Sequence, residues 1–224
     1  MTMQLIHNST FAPMDSSLHL DEPEVLSSGK LCLEFANTAN WHASAEPQES
    51  LHHYQDLLEW ARQTGICTDE AAHALKIEAV AFPPLADQVY RWAIELREAI
   101  YRTFASVAES NHPTADDLAL INEALPLAYS RPELVIHEEG YALRWRADEK
   151  GLDSLLWPIL RSTARLLTEG DHERIKQCAD DRGCGYLFFD TTRNRSRRWC
   201  DMSSCGNRAK SQRHYARHRH TDAG

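Results

Sequence analysis

Residues 174–219 read RIKQCADDRGCGYLFFDTTRNRSRRWCDMSSCGNRAKSQRHYARHR and hold four of the chain's six cysteines, Cys178, Cys184, Cys200 and Cys205. The pattern is C-x5-C, fifteen residues, then C-x4-C. Two short-spaced pairs separated by a hairpin-sized interval suit a tetrahedral four-cysteine Zn2+ site. Each pair forms a knuckle that aims two sulfurs at one point, and the intervening chain brings the pairs together. Four thiolates fill the coordination sphere, so the expected zinc is structural and leaves no position for a reacting water. His172 and His214 are substitute ligands only if a cysteine is not used.

Working outward, Gly183 and Gly185 permit the tight bends of the first knuckle. Tyr186 to Phe189 alternate as a β-arm, Thr191 to Asn194 offer a turn, and the chain returns through Arg197, Arg198 and Trp199. A helix is expected from about Cys205. The module predicted is a small ββα zinc finger, treble-clef-like, whose aromatic residues cover the metal because so short a segment lacks a core of its own.

The string W-C-x4-C-G-N-R-x-K, Trp199 to Lys210, resembles the CGNR zinc-finger family, as does the upstream C-x5-C-G-Y-L-F-F-D-T-T-R-N. The resemblance covers about the last quarter of the chain. It implies an N-terminal, helix-rich region of the kind described as a stress-induced transcription regulator, for which Leu31 to Thr38 (LCLEFANT) is a weaker matching cue. It also implies transcription regulation, with DNA as the partner.

Charge bears on that implication. The net formal charge of the 224 residues is −9, which taken whole argues against nucleic acid. Residues 193–219, however, carry nine Arg and Lys against one acid, Asp201, so a basic terminal segment follows an acidic body. Candidate nucleic-acid contacts are Arg193, Arg195, Arg197 and Arg198 on the expected hairpin, with Arg208, Lys210, Arg213 and Arg217 on the helix. A structural role competes for Arg208 and Asn207 of the signature, and a merely solvated face competes for the rest. Trp199 is expected beside the metal rather than against a base.

The preceding chain reads as a loose arm (1–24), a mainly helical regulatory domain (25–170) and the finger with its basic tail (171–224). Leu31, Leu33 and Phe35 alternate with Cys32, Glu34 and Ala36, which favours a short strand; the four-residue step from Leu31 to Phe35 also fits a helix. Ser50 is read as the N-cap of a helix ending at Gly65, and Thr68 as the start of the next, broken at Pro83 and Pro84. From Leu85 to Ser110 apolar residues recur at three and four, the spine of the domain. A helix over Ala115–Tyr129, a β-hairpin over Leu134–Trp145 and a helix over Leu155–Leu167 complete an α+β, mostly helical fold.

No apolar run approaches the roughly 20 residues of a membrane span. The first fourteen residues lack a secretory pattern, so the expected location is cytoplasmic, where clustered cysteines stay reduced. The histidines form no HExxH, and there is no GxSxG, phosphate-cradling glycine loop or CxxC, so the chain is read as no enzyme. Glu34, Asn37 and Arg97 are the first candidates for a small-molecule effector pocket, with a surface salt bridge and a turn residue as the competing account. The favoured reading is a DNA-binding regulator with one structural Zn2+ and an N-terminal domain that senses a ligand or forms a homodimer. A protein-interaction module using the basic finger is the alternative, and an enzyme stapled by the finger a third.

Overall fold

The structure is a computed structural model that describes residues 26–130, 132–137, 140–145 and 151–211. The expected arm over 1–24, and Arg213, His214 and Arg217, lie outside them. Six α-helices are defined: α1 (Leu31–Ala36), α2 (Tyr54–Gln63), α3 (Asp69–Ala81), α4 (Pro83–Ala108), α5 (Ala115–Ala128) and α6 (Trp157–Thr168), the last entered through a 3-10 turn, Leu152–Leu156. Three antiparallel strand pairs join them: β1 (Ala39–Asn40) with β2 (Gln48–Glu49), β3 (Pro132–His137) with β4 (Gly140–Trp145), and β5 (Ile175–Gln177) with β6 (Leu187–Phe189). The fold is α+β and mostly helical.

The α4 helix is the spine. Its 26 residues span about 39 Å. Pro83 and Pro84 fill its first turn, where a missing N–H costs nothing, so the prolines that stop α3 also start α4. Its buried stripe runs through Ala86, Val89, Ala93, Leu96, Ile100 and Phe104. The alanines let neighbouring helices approach closely, and α1, α2, α3 and α5 all pack on it. Leu85, read from the sequence as part of that stripe, lies at its edge and is exposed.

Caps fix the other starts. Thr68 accepts from Ala71 N (3.2 Å), and Thr114 accepts from Asp117 N (3.1 Å). The α2 start differs from expectation. Ser50 takes a hydrogen bond from Asn40 Nδ2 (3.1 Å) instead of capping. His53 caps through Nδ1, which accepts from Asp56 N (3.3 Å), while Asp56 Oδ2 accepts from His52 N (2.7 Å). That reciprocal pair is equivalent to a capping box one turn later than the serine.

The strand expected over Leu31 to Ala36 is corrected to a helix. Leu31, Cys32, Leu33, Phe35 and Ala36 are all buried, so α1 is covered on nearly every side by α4, α6 and β6. Alternation marks a strand with one wet face, and here only Glu34 breaks a run that is apolar throughout.

The finger's strand pairing is corrected as well. The arm at Leu187–Phe189 pairs with β5 before it, not with Arg197–Trp199 after it. Fully buried Asp190 explains the difference. Its carboxylate accepts from Thr192 N (2.9 Å), Thr192 Oγ1 (2.6 Å) and Arg197 N (2.9 Å), pulling the return chain into a side-chain-held turn. The backbone donor that a strand ladder would use goes to a carboxylate instead.

Ile175 and Leu187 belong to the same apolar cluster as Leu31, Phe35, Leu96 and Phe104. The finger's strands therefore contribute to the core of the helical body.

Candidate metal centre and the seam around it

The four cysteine sulfurs lie within 4.8 Å of one another. Cys184 Sγ is 3.7 Å from Cys200 Sγ, which is 3.6 Å from Cys205 Sγ. A disulfide would bring two sulfurs to about 2.05 Å. A tetrahedron with zinc–sulfur bonds of about 2.3 Å has edges of about 3.8 Å. The spacing fits one structural Zn2+ held by Cys178, Cys184, Cys200 and Cys205.

Without a cation between them the four thiols do not ionise together. Hydrogen bonds from the Cys184 and Cys200 thiols push Cys178 well down. Hydrogen bonds with Cys178 and Cys184, then burial, push Cys200 well up, and burial with its neighbours pushes Cys205 up to about 12. Four thiolates this close need a cation between them, and a bound divalent ion supplies that charge when present.

Local sequence builds the cup. Cys178 N donates to Tyr186 O (2.9 Å) and Ala179 N to Arg198 O (2.9 Å), closing the first knuckle on the return chain. Asp201 accepts from Ser203 N (2.7 Å) and so caps the single π-turn Met202–Gly206, after which 207–211 is helical. Cys200 N donates to Cys178 Sγ (3.4 Å), and Arg208 Nη2 donates to Cys205 Sγ (2.8 Å), which offsets part of the thiolate charge.

Arg208 also donates to Asp180 Oδ2 from Nη2 (3.0 Å) and Nε (3.2 Å), and Arg182 binds the other oxygen (3.3 Å). Burial opposes the charge on Asp180, yet these bonds hold its carboxyl well below the usual carboxylate range. Both guanidinium groups lie over Trp41 of the body, at 5.4 Å for Arg182 and 5.1 Å for Arg208. Asp180 and Trp41 were not singled out in the sequence. The only signal was an acid inside the first knuckle, facing the arginine of the CGNR string.

The candidate basic residues divide into two groups. Arg195 is held by Asp171 (2.8 Å) and Glu173, Arg197 donates to Trp199 O (3.0 Å) and Cys200 O and lies 4.3 Å over Phe188, and Arg208 is committed as described. These three brace the finger. Arg193, Arg198 and Lys210 are exposed. Neither Arg193 nor Lys210 forms an ion pair with a described residue, and Arg198 leans only on the Trp199 ring at 5.3 Å.

The seam between finger and body is tightly drawn. Asn37 Nδ2 donates to Leu187 O and its Oδ1 accepts from Leu187 N, both at 2.8 Å. Tyr101 Oη donates to Gly185 O (2.9 Å) and accepts from Gln177 Nε2 (2.8 Å). Gly185 has φ +68°, and a Cβ there would sit 2.6 Å from Ala43 N, so only glycine allows the approach. His42 stacks on Tyr101 with ring centroids 3.5 Å apart and bonds Glu98 Oε2 through Nε2 (2.8 Å).

Of the proposed pocket residues, Glu34 and Asn37 line a cavity of about 440 Å³ beside Asp56, Glu59, Trp60 and Tyr186. Arg97 does not line it. Its guanidinium is buried, and it makes two bonds to Glu49 (2.6 and 2.7 Å), two to Glu98 Oε1 (2.8 and 3.1 Å) and one to Thr38 Oγ1 (3.3 Å). Arg97 is a buried ion-pair hub, 2% exposed.

A family model described as "Putative stress-induced transcription regulator" (ABATE) matches residues 29–170, more than half of the chain. The chain belongs to the ABATE family. A second model, the CGNR zinc finger, matches residues 174–218 and takes in all four cysteines. No curated protein matches the chain. In ABATE terms, helices α1 to α6 form the family's domain, and the CGNR finger follows it within a few residues. No helix among the described residues is long and apolar enough to cross a membrane.

Proposed function

We propose that this ABATE protein is a DNA-binding transcription regulator of the cytoplasm, with the zinc finger as its contact surface. The observation that carries the reading is the division among the basic residues. Three arginines are spent holding the finger together, while Arg193, Arg198 and Lys210 face solvent on a finger that continues into Arg213 and Arg217. Exposed cations that pair with no acid among the described residues are free to replace counterions along a phosphate backbone. The family's description as a transcription regulator supports the same partner.

The reading assigns no catalytic step to the chain. A zinc surrounded by four thiolates serves to hold the knuckles at a fixed angle, with no position left for a reacting water.

The test is a mobility shift with bulk duplex DNA over a salt series. Each neutralised phosphate contributes about −0.9 to the slope of log K against log salt, so the triple substitution Arg193→Gln, Arg198→Gln, Lys210→Gln should flatten the slope by up to about 2.7. Zinc content should stay at one per chain. Binding and slope both unchanged in the triple variant would overturn the assignment of these residues. Salt-sensitive binding to an acidic protein, with none to DNA at low salt, would replace the DNA reading by the protein-interaction one.

A further inference from the structure

The cavity of about 440 Å³ between α1, α2 and the finger is large enough for a small-molecule ligand. Among the described residues its lining includes three carboxylates, Glu34, Asp56 and Glu59, and no lysine, arginine or histidine. Two aromatic rings, Trp60 and Tyr186, complete the wall. The three acids are not equivalent. Glu59 is bonded by Arg62 through both oxygens (2.7 and 2.9 Å) and by Gln63 (2.8 Å), so its charge is already matched. Asp56 has one oxygen, Oδ2, occupied by His52 N and lying 3.2 Å from His53 Nδ1. Glu34 accepts only Ser28 N (2.8 Å), through Oε2, among the described residues. Uncompensated negative charge is therefore concentrated at Glu34, with the second oxygen of Asp56 nearby, next to ring faces that attract cations.

We propose that this cavity binds a small organic cation, an alkylammonium or arylalkylammonium whose apolar part lies against Trp60 and Tyr186 while its nitrogen meets Glu34. An anion would face the unmatched carboxylates, and a bare metal ion would leave the aromatic wall unused. The site belongs to both parts of the protein. Tyr186 is two residues past Cys184, and its carbonyl holds Cys178 N, so a ligand pressing on this ring presses on the first zinc knuckle. The binding itself does not depend on what the finger grips.

Calorimetry on the zinc-loaded full chain tests the proposal, with phenethylammonium as the probe and 3-phenylpropionate, of similar shape and opposite charge, as the comparison. The expected result is saturable binding of the ammonium in the micromolar to low-millimolar range and none of the carboxylate. Glu34→Gln, which keeps an acceptor for Ser28 N, should weaken the ammonium about tenfold or more. Glu59→Gln, whose charge is already matched by Arg62, should leave its affinity within about threefold. Zinc content and melting temperature measured alongside show that Glu34→Gln remains folded; if it does not, Trp60→Leu takes its place with the same expected loss. No saturable heat with the ammonium up to about 10 mM, or equal affinity for the two charges, would overturn the proposal.

Discussion

Replacing Asn37 by alanine is the sharpest test of the seam. Asn37 is 8% exposed and its carboxamide satisfies both backbone groups of Leu187, each at 2.8 Å. Leu187 stands opposite Gln177 in the β5–β6 pair, but its own N–H and C=O turn away from β5 toward α1. The side chain thus serves as a one-residue strand along the free edge of β6. Alanine would leave one donor and one acceptor without partners in a place that water enters poorly. Each such group costs about 1–3 kcal/mol, so the loss should total about 2–6 kcal/mol. For a chain of this length that lowers Tm by about 4–24 °C. Thermal denaturation of the zinc-loaded protein, followed by circular dichroism, measures it, with zinc retained below the transition because no ligand is touched. A Tm within about 1 °C of the parent would refute the reasoning, since it would mean that water or a shifted strand satisfies Leu187 at no cost.

Two further outcomes are expected. Metal analysis should find one zinc per chain, and Cys200→Ser, which removes the sulfur lying between Cys184 and Cys205, should lose it and unfold the knuckles; a zinc-free but folded variant would refute the site. Burial alone would raise the Glu98 pKa, but the His42 and Arg97 contacts outweigh it and hold the group down to about 2 from its ordinary 4.5. A carboxyl with a depressed folded-state pKa contributes stability above its unfolded value, and that contribution disappears as pH falls through the folded one. Between about pH 4.5 and 2 the parent should therefore lose more stability than Glu98→Gln, as urea midpoints across that range would show; parallel curves would argue against the ion-pair account.

Much of this was legible because local chemistry agreed with tertiary demand. The cysteine spacing announced the metal cup, Thr68 caps the helix it was read to start, and α4 follows its three-and-four repeat. The hairpin over residues 132–145 follows its alternation. Misreadings arose where tertiary contacts decide. Leu31–Ala36 is a helix because it is surrounded, which a one-sided pattern cannot express. Ser50 yields its cap to His53 because its hydroxyl is used by Asn40. The sequence could not show that Arg97 is the buried partner of Glu49 and Glu98. The charge count for residues 193–219 treated nine cations alike. Three of them, Arg195, Arg197 and Arg208, turn inward toward acids, carbonyls and a sulfur that are distant in sequence or hidden in a turn. The seam residues Trp41, Tyr101 and Asp180 carried no motif at all.

The shared core bears on how such a chain could be cut and rejoined. Sequence models divide it near residue 171, but Ile175 and Leu187 are buried with the helices on the other side of that line. A finger excised there would carry bare leucine and isoleucine into water along with its zinc. A body truncated there would keep an open groove on α1 and α4 where β5 and β6 had been. Shuffling this finger onto an unrelated protein would therefore require transplanting the Asn37 edge, the Tyr101 hydroxyl and the Ala43 backbone that receives Gly185. Neither half is finished alone.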